Sequence, residues 1–205
     1  MVEFQLRSRR IRDERVLDAM SRVPRHRFVE QGYQSQAYED HPLPIGFGQT
    51  ISQPYIVALM LEALAIQPTD IVLEIGTGSG YLTAVLALLA VQVYSIERHA
   101  GLALAAEHTL KRLGYSNVTI RVGDGSRGMP DAAPFDDIIV SAAAPQLPSS
   151  LLQQLREGGR MIIPVGPAYE QQLQLVRNQE GRTQVLSLEG CRFVPLIGGE
   201  GFSAE

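Results

Sequence analysis

The feature that most constrains the fold is a glycine-rich turn between two apolar segments. The β-branched run Ile71–Ile75 is followed by the letters GTGSG at residues 76–80 and then by the apolar segment 81–89. Residues 75–96 carry no formal charge, and these 22 residues would be long enough to cross a bilayer. The stretch nevertheless contains the glycine turn, and its wholly apolar part covers only residues 84–91. The pattern therefore predicts a buried strand, a tight turn and a buried helix.

Short apolar runs alternate with helical segments along the following part of the chain. The predicted strands are 71–75, 92–96, 118–122, 137–141 and 161–164, and the predicted helices are 81–89, 101–113 and 147–155. Strands that alternate with helices form a parallel sheet covered on both faces, so the predicted fold is α/β, doubly wound and Rossmann-like. Two further runs, 173–177 and 185–188, flank a turn at 178–181 and predict antiparallel strands that close the sheet.

The chain length of 205 residues is close to that of one domain, about 100–200 residues. We expect N-terminal helices and a long loop in residues 1–66, a ligand-binding core in 67–170 and an antiparallel closure in 171–205. Within the first part, residues 38–54 are rich in glycine, proline and polar residues, and a helix is predicted from about Pro54 to Ala65. Loops of this length in compact domains are usually functional.

Charge is unevenly distributed along the chain. Residues 1–27 contain eight arginines and four acidic residues, although the whole chain has a net charge of −4. The segment is predicted to be helical, with a solvated basic face and with Leu6, Leu17, Met20 and Val23 buried. A nucleic-acid-binding arm is the disfavoured alternative, because no aromatic residues lie between the arginines. The negative chain as a whole attracts neither nucleic acid nor an anionic membrane.

The chain has a single cysteine, Cys191, which excludes an internal disulfide and a zinc site with several cysteines. It lies in a predicted terminal strand, where we expect it to be a small core side chain. No metal site, signal peptide or membrane span is predicted, and a reducing, cytoplasmic location is expected.

Three acidic residues, Glu74, Glu97 and Asp124, lie at the ends of three successive predicted strands. Glu97 lies 19 residues after Gly78, at the end of the second strand, and Asp124 ends the third. The carboxyl ends of parallel strands lie at the same edge of the sheet. An acidic side chain there can accept hydrogen bonds from both hydroxyl groups of an adenosine ribose. The spacing G-x-G-x-G differs from the dinucleotide fingerprint, and Glu74 would repel a pyrophosphate but suit a sulfonium or amino group. The pattern favours S-adenosylmethionine over a nicotinamide cofactor; a tight turn without a ligand is the structural alternative.

Several segments together resemble the protein-L-isoaspartate (D-aspartate) O-methyltransferase family, over nearly the whole chain. The matching pieces are RVLDAM with VPR at 15–25, YED at 38–40, GQTISQP at 48–54, the glycine turn, GDG at 123–125, AAAP at 142–145, GGR at 158–160 and FVPL at 193–196. The glycine turn alone indicates only a methyltransferase. The pieces TISQP and FVPL are the family-specific ones.

The resemblance implies transfer of a methyl group from S-adenosylmethionine to the free α-carboxylate of an L-isoaspartyl residue, with S-adenosylhomocysteine as product. The resulting ester leads to repair through a succinimide. Ser52 matches the active-site serine. The implied cofactor-binding residues are Gln49, Thr50, Ile51, Ser52, Glu74, Gly76, Thr77, Gly78, Ser79, Gly80, Glu97, Arg98, Asp124 and Gly125. The implied substrate-binding residues are Thr50, Ile51, Ser52, Val194, Pro195 and Leu196.

Two positions depart from the family pattern. Some relatives have a histidine three residues after the proline of the serine loop, where this chain has Val57. The tail after Leu196 is short, which leaves its contacts over the substrate open.

The expected chemistry needs no general base, because a free carboxylate has a pKa of about 3.5–4 and is ionised at pH 7. The four histidines, His26, His41, His99 and His108, are accordingly expected on the surface or on helix faces. Ser52 is interpreted as a hydrogen-bond donor that orients the carboxylate, with a helix N-cap as its alternative or additional role. Asp40 is expected to hold the loop by hydrogen bonds, or else to contact the ligand.

Three other functions stay open from the sequence. One is another carboxyl or small-molecule methyltransferase on the same scaffold, and the second is a non-catalytic S-adenosylmethionine-binding module. The third is a nicotinamide oxidoreductase. The expected partners are isoaspartyl-containing proteins and peptides, with no nucleic acid or membrane, and the expected state is a monomer.

Overall fold

A seven-stranded sheet forms the centre of the molecule. The structure, a computed structural model, describes residues 1–179 and 181–203; Glu180 of the predicted turn and residues 204–205 lie outside the described residues. The strands are β1 (Leu43–Pro44), β2 (Thr50–Ile51), β3 (Ile71–Ile75), β4 (Gln92–Glu97), β5 (Val118–Val122), β6 (Phe135–Val140), β7 (Leu155–Val165), β8 (Gln171–Gln179) and β9 (Arg182–Cys191). The helices are α1 (Glu14–Arg22), α2 (Pro54–Leu64), α3 (Tyr81–Leu89), α4 (Ala100–Arg112) and α5 (Ser149–Gln153).

The strand order in the large sheet is β5-β4-β3-β6-β7-β8-β9, and β1 and β2 form a separate antiparallel hairpin. Strands β3 to β7 pair in parallel, whereas β8 and β9 add antiparallel strands at one edge. This confirms the predicted doubly wound sheet with an antiparallel closure. Because β3 has β4 on one side and β6 on the other, the chain changes direction across the sheet at this point, where ligands bind in such folds.

Side chains of the central strands alternate between two hydrophobic cores. In β6, Ile139 belongs to one core, whereas Ile138 and Val140 belong to the other. Helices α1, α2 and α3 contribute to the first core, and α5 contributes to the second. The sheet is therefore covered on both faces, as expected for parallel strands. Among residues 1–179 and 181–203, no helix is both long and apolar enough to cross a bilayer.

The N-terminal segment is less regular than predicted. The α-helix covers only Glu14–Arg22 and is capped by Asp13, whose carboxylate accepts hydrogen bonds from two main-chain N–H groups. Residues 2–9 form short helical turns before it. The four predicted apolar residues, Leu6, Leu17, Met20 and Val23, are all buried. The basic residues thus belong to a segment that packs on α2 and α3.

In the second half of the chain, the lengths of a helix and of the strands differ from the prediction. The predicted helix at 147–155 is only Ser149–Gln153, because Leu155 already pairs with Phe135 and begins β7. The terminal strand β9 is mostly exposed, so the expected core position of Cys191 depends on its own contacts rather than on a buried strand. Cys191 at its end is nevertheless half-buried against the core, and burial raises the pKa of its thiol to about 11.

Candidate active site

A cavity of about 870 Å³ opens at the carboxyl ends of β3, β4 and β6. This volume includes the open space at the mouth of the cavity. We call residues 74–80 together with Glu97 the wall of the cavity, because they end β3 and β4 and form the turn between β3 and α3. We call residues 43–52 and 194–202 the cover. The cavity lies between the wall and the cover.

The glycine turn of the wall lies in close contact with the cover on one side and with α4 on the other. Gly76, Gly78 and Gly80 have φ values of +94°, +53° and +88°, which L side chains rarely adopt. A Cβ at Gly78 would lie 3.1 Å from Cδ1 of Ile45 in the cover. A Cβ at Gly80 would lie 3.2 Å from Cβ of Ala106 in α4. Gly78 therefore permits the cover to close on the wall, whereas Gly80 permits α3 to pack on α4.

Glu97 faces the cavity with both carboxylate oxygens held in place. One oxygen accepts a hydrogen bond from the main-chain N–H of Gly78, and the other accepts one from that of His99, both at 2.9 Å. The residue is 5% exposed and lines the cavity. Each carboxylate oxygen has two lone pairs, so both retain the capacity to accept a further hydrogen bond. Glu97 can therefore accept hydrogen bonds from two neighbouring hydroxyl groups.

Glu74 lies behind the glycine turn and does not line the cavity. Its carboxyl group is fully buried and accepts hydrogen bonds from Thr83 Oγ1 and Ser95 Oγ, both at 2.6 Å. Burial raises the pKa of Glu74 to about 8, so the group is mostly neutral at pH 7. This corrects the argument that its negative charge favours a sulfonium. The side chain links β3, β4 and α3 beneath the turn.

Asp124 is turned towards the C-terminal tail. One of its oxygens accepts hydrogen bonds from the N–H and hydroxyl of Ser126, and the other accepts one from the N–H of Gly199 at 2.8 Å. Partial burial raises the pKa of Asp124, but these hydrogen bonds outweigh it and lower the pKa below its ordinary value. Its neighbour Gly125 lines the cavity, whereas Asp124 itself does not.

The hairpin of the cover places Ser52 at the cavity. The N–H of Ile45 donates to the carbonyl of Gln49, and the loop between β1 and β2 passes through three residues with positive φ, at 46–48. Ser52 lines the cavity, is partly exposed, and its hydroxyl donates to no other group among the described residues. The hydroxyl is therefore available to a ligand.

The interpretation of Ser52 as the N-cap of α2 is wrong, because a side chain far from it in the sequence, that of Asp40, caps this helix. Gln53 occupies the N-cap position and its side chain makes no cap. Asp40 Oδ1 accepts a hydrogen bond from the N–H of Tyr55 at 3.0 Å, and its other oxygen accepts one from Gln53 Nε2 at 2.9 Å. Arg9 forms an ion pair with the same carboxylate. Asp40 thus holds the loop by hydrogen bonds, as the sequence indicated.

The tail of the cover is fastened to residues 124–126 and to the first turn of α5. The main-chain N–H groups of Gly199 and Glu200 donate to Asp124 and Ser126, and the carboxylate of Glu200 accepts hydrogen bonds from Ser149 and Ser150. Upstream, the N–H of Leu196 donates to the carbonyl of Ala143 at 2.7 Å. The tail contacts that the sequence left open therefore exist, and they bring residues 194–197 to the cavity.

This chain is similar to known proteins over nearly its whole length. The family model described as protein-L-isoaspartate (D-aspartate) O-methyltransferase matches residues 1–201. The chain belongs to this family. A protein-L-isoaspartate O-methyltransferase of Koribacter versatilis (strain Ellin345) is 59% identical over 99% of this chain and 91% of its own length. One of Syntrophobacter fumaroxidans (strain DSM 10017 / MPOB) is 55% identical over 98% of this chain and 94% of its own length.

Solved structures of the family have the same fold. One, a protein-L-isoaspartate O-methyltransferase, is 30% identical with a TM-score of 0.85, over 95% of this chain and 64% of that chain. A Plasmodium falciparum protein, described as a β-aspartate methyltransferase, is 29% identical with a TM-score of 0.82, over 93% of this chain and 94% of that chain. The latter was solved in complex with S-adenosyl-L-homocysteine.

Most residues that the family resemblance implies line one cavity in this chain. Those that do are Gln49, Thr50, Ile51, Ser52, Gly76, Thr77, Gly78, Ser79, Glu97, Arg98, Gly125, Val194, Pro195 and Leu196. Those that do not are Glu74, Gly80 and Asp124, each of which supports a neighbouring segment. Their direct contact with a cofactor stays a prediction that the geometry does not support.

Sequence reasoning missed several lining residues. Ser141 and Ala142 follow β6, and the rule that ligands bind beyond the carboxyl ends of strands could have found them. Others are apolar residues of helices and loops: Ile45, Met60, Tyr81, Leu82 and Ile197. Val57, noted as a departure from some relatives, is buried and lines the cavity with an aliphatic side chain.

The histidine side chains lie outside the cavity lining, although the main-chain N–H of His99 holds Glu97. None of the four is among its lining residues within the described part of the chain. His41 is partly exposed, and hydrogen bonds to the carbonyl of Pro42 and to Glu39 raise the pKa of its imidazole. His26 contacts the hydroxyl of Tyr38 at 2.7 Å. The only lysine, Lys111, pairs with Glu107 on the surface of α4.

Proposed function

We propose that this protein transfers a methyl group from S-adenosylmethionine to the free α-carboxylate of L-isoaspartyl residues in damaged proteins and peptides. The observation that carries the proposal is one cavity with the paired acceptor Glu97 in its wall and the free hydroxyl of Ser52 in its cover. The family membership of the whole chain supports the same reaction.

The residues of the wall fit the cofactor. Gly76 and Gly78 line the cavity without a side chain, so a ligand can approach their main chain closely. Gly125, beside the wall, also lines the cavity, and a Cβ there would lie 2.5 Å from Cγ2 of Ile75. The two oxygens of Glu97 suit the two hydroxyls of a ribose. When bound, S-adenosylmethionine supplies an electrophilic methyl group on a positively charged sulfur. The chain contributes the orientation of that group relative to the acceptor.

Ser52 orients the acceptor carboxylate. A hydrogen bond from its hydroxyl to one carboxylate oxygen would leave the other oxygen directed at the methyl group. Alignment of the reacting atoms can supply several kcal/mol of catalysis, on the order of 7–11 in favourable cases. The acceptor is ionised at neutral pH, so the absence of a histidine from the lining is compatible with the reaction.

Apolar side chains favour the loss of charge during transfer. The reaction converts a carboxylate and a sulfonium into two neutral groups, which a water-poor surrounding favours. Val57, Met60 and Leu82 line the cavity and are buried. They exclude water from one side of the reacting groups.

The substrate is proposed to bind through its main chain. Residues 50–51 and 194–196 line the cavity as short extended segments, and Pro195 lies in a bridge with Ala143. Recognition of an extended peptide main chain by such segments tolerates many side chains. Large losses in rate on changing the substrate's side chains would contradict this part of the proposal.

The deciding experiment compares two peptides that differ only in one linkage. With S-adenosylmethionine, we expect methylation of the L-isoaspartyl peptide and none of its normal aspartyl twin. Equal methylation of both would indicate another carboxyl methyltransferase. Tight binding of S-adenosylhomocysteine without turnover on either would indicate a non-catalytic module. A D-aspartyl peptide in the same assay determines whether that residue is also accepted.

We also propose that the protein acts as a cytoplasmic monomer. A single half-buried cysteine suits a reducing compartment. Sedimentation at micromolar concentration should give the mass of one chain; a dimer mass would overturn this proposal.

A further inference from the structure

A buried arginine outside the predicted site joins two parts of the reaction centre. Arg25 is fully buried in the turn Arg25–Phe28. Its Nε donates to the carbonyl of Ala37 at 2.7 Å, and its Nη2 donates to the carbonyl of Ser52 at 2.8 Å. Its guanidinium carbon lies 4.7 Å from the ring centre of Tyr81, the first residue of α3. Arg25 therefore contacts both the serine of the cover and an aromatic residue that lines the cavity.

The charge of Arg25 has no carboxylate partner at contact distance. No carboxylate among residues 1–179 and 181–203 lies within 4.0 Å of its guanidinium. The carboxylate of Asp40 pairs with Arg9 at 3.0 Å. One nitrogen of Arg25, Nη1, is buried and has no hydrogen-bond partner in the described part of the chain. A buried cation that no carboxylate contacts is costly to folding, and the ring of Tyr81 and the more distant Asp40 offset that cost only in part.

Tyr81 holds the guanidinium in a fixed plane. The ring is buried, and Phe28 packs against it edge-on with ring centres 5.8 Å apart. Cations within about 6 Å of an aromatic ring centre are attracted to its face. The planar fork of Arg25 is thereby aimed at the main chain of Ser52.

We propose that Arg25 is a positioning residue for methyl transfer. It holds the main chain of Ser52 so that the hydroxyl faces the acceptor, and its positive charge, which no carboxylate of the described residues contacts, favours an anionic acceptor. The inference rests on the proposed function, because it requires that Ser52 orients a carboxylate. Arg25 does not line the cavity and acts through Ser52 and through its charge.

The test uses substitutions that separate geometry from charge. Arg25→Lys keeps the charge but loses the planar fork that reaches two carbonyls, and Arg25→Met removes both. Arg25→Gln is a second neutral variant, should Arg25→Met fail to fold. Arg15→Met is the matched control, because Arg15 also donates to two main-chain carbonyls, those of Ile66 and Leu89, outside the cavity lining. Each protein is measured for kcat and peptide KM, for S-adenosylhomocysteine Kd and for Tm.

Arg25→Lys should lower kcat about tenfold and change peptide KM less than threefold. The neutral variants should in addition raise peptide KM at least tenfold. In a Ser52→Ala background, Arg25→Lys should lower kcat by less than twofold further, because the hydroxyl to be positioned is gone. Arg15→Met should lower Tm and leave both kinetic constants within twofold.

The same tenfold loss of kcat from Arg25→Lys in both backgrounds would overturn the positioning role. Equal peptide KM in the charged and neutral variants would overturn the role of the charge. Neither result would be confused with failure of the proposed function, which would show in the wild-type protein as equal methylation of the isoaspartyl and aspartyl peptides.

Discussion

The wall and the cover of the cavity are built in different ways. Within the wall, the hydrogen bond between Glu97 and Gly78 joins residues 19 apart, and those of Glu74 span 9 and 21 residues. In the cover, Gly199 reaches Asp124 across 75 residues and Glu200 reaches Ser150 across 50. A local motif therefore forms the wall, whereas the cover depends on many distant contacts. We expect substitutions in the wall to act on cofactor affinity and those in the cover to act on turnover and peptide binding.

The largest effect is expected from Glu97→Ala in the wall. The variant loses the acceptors for two ribose hydroxyls, and hydrogen bonds to charged groups contribute about 1.5–3 kcal/mol each. The Kd of S-adenosylhomocysteine, measured by titration calorimetry, should rise at least about 100-fold. Glu107→Ala, which removes an exposed acid on α4, is the control. A change below fivefold for Glu97→Ala would place the ribose elsewhere.

Ser52→Ala tests the opposite side of the cavity. We expect kcat on an isoaspartyl peptide to fall about 10- to 100-fold, as for the loss of one hydrogen bond to a charged group. The affinity for S-adenosylhomocysteine should change much less, and Ser52→Thr should restore part of kcat because it keeps a hydroxyl. Equal losses in kcat and cofactor affinity would reassign Ser52 to a structural role.

Gly198→Ala tests whether the tail matters to the cover. A Cβ at Gly198 would overlap Oδ1 of Asp124, and such overpacking costs about 1–3 kcal/mol. Peptide KM should rise about tenfold as residues 194–196 shift. Gly123→Ala is the matched control, because a Cβ there meets nothing within 4 Å. Unchanged KM in the Gly198 variant, together with a normal Tm, would show that the fastening is dispensable.

The smallest effect on activity is expected from Glu74→Gln. This variant tests whether Glu74, which is buried behind the turn, differs in its role from Glu97, which lines the cavity. Its raised pKa means that the folded protein binds this proton more tightly than the unfolded chain. The resulting stabilisation is complete below the unfolded pKa of about 4.3 and is lost as pH rises to about 8. The unfolding free energy of Glu74→Gln relative to wild type, measured in urea, should therefore increase between pH 5 and pH 9. A difference independent of pH would contradict the neutral carboxyl.

The sequence predicts the residues of the wall better than those of the cover. Glu97 and the glycine turn were found because spacing along adjacent parallel strands determines which residues meet at one edge. The charge of Glu74 was misjudged, because its burial by Thr83 and Ser95 depends on how α3 packs on β4. Asp40 as the distant cap of α2, and Arg25 as the support of Ser52, have no periodic or spacing signal, since each acts across a loop.

Local periodicity and contiguous motifs are enough to predict the parallel sheet, its antiparallel closure, the glycine turn and the family. They do not predict which acids face the cavity, how α2 is capped or where the tail is fastened. Charge state and side-chain orientation depend on burial and on hydrogen-bond partners, which folding supplies from distant parts of the chain.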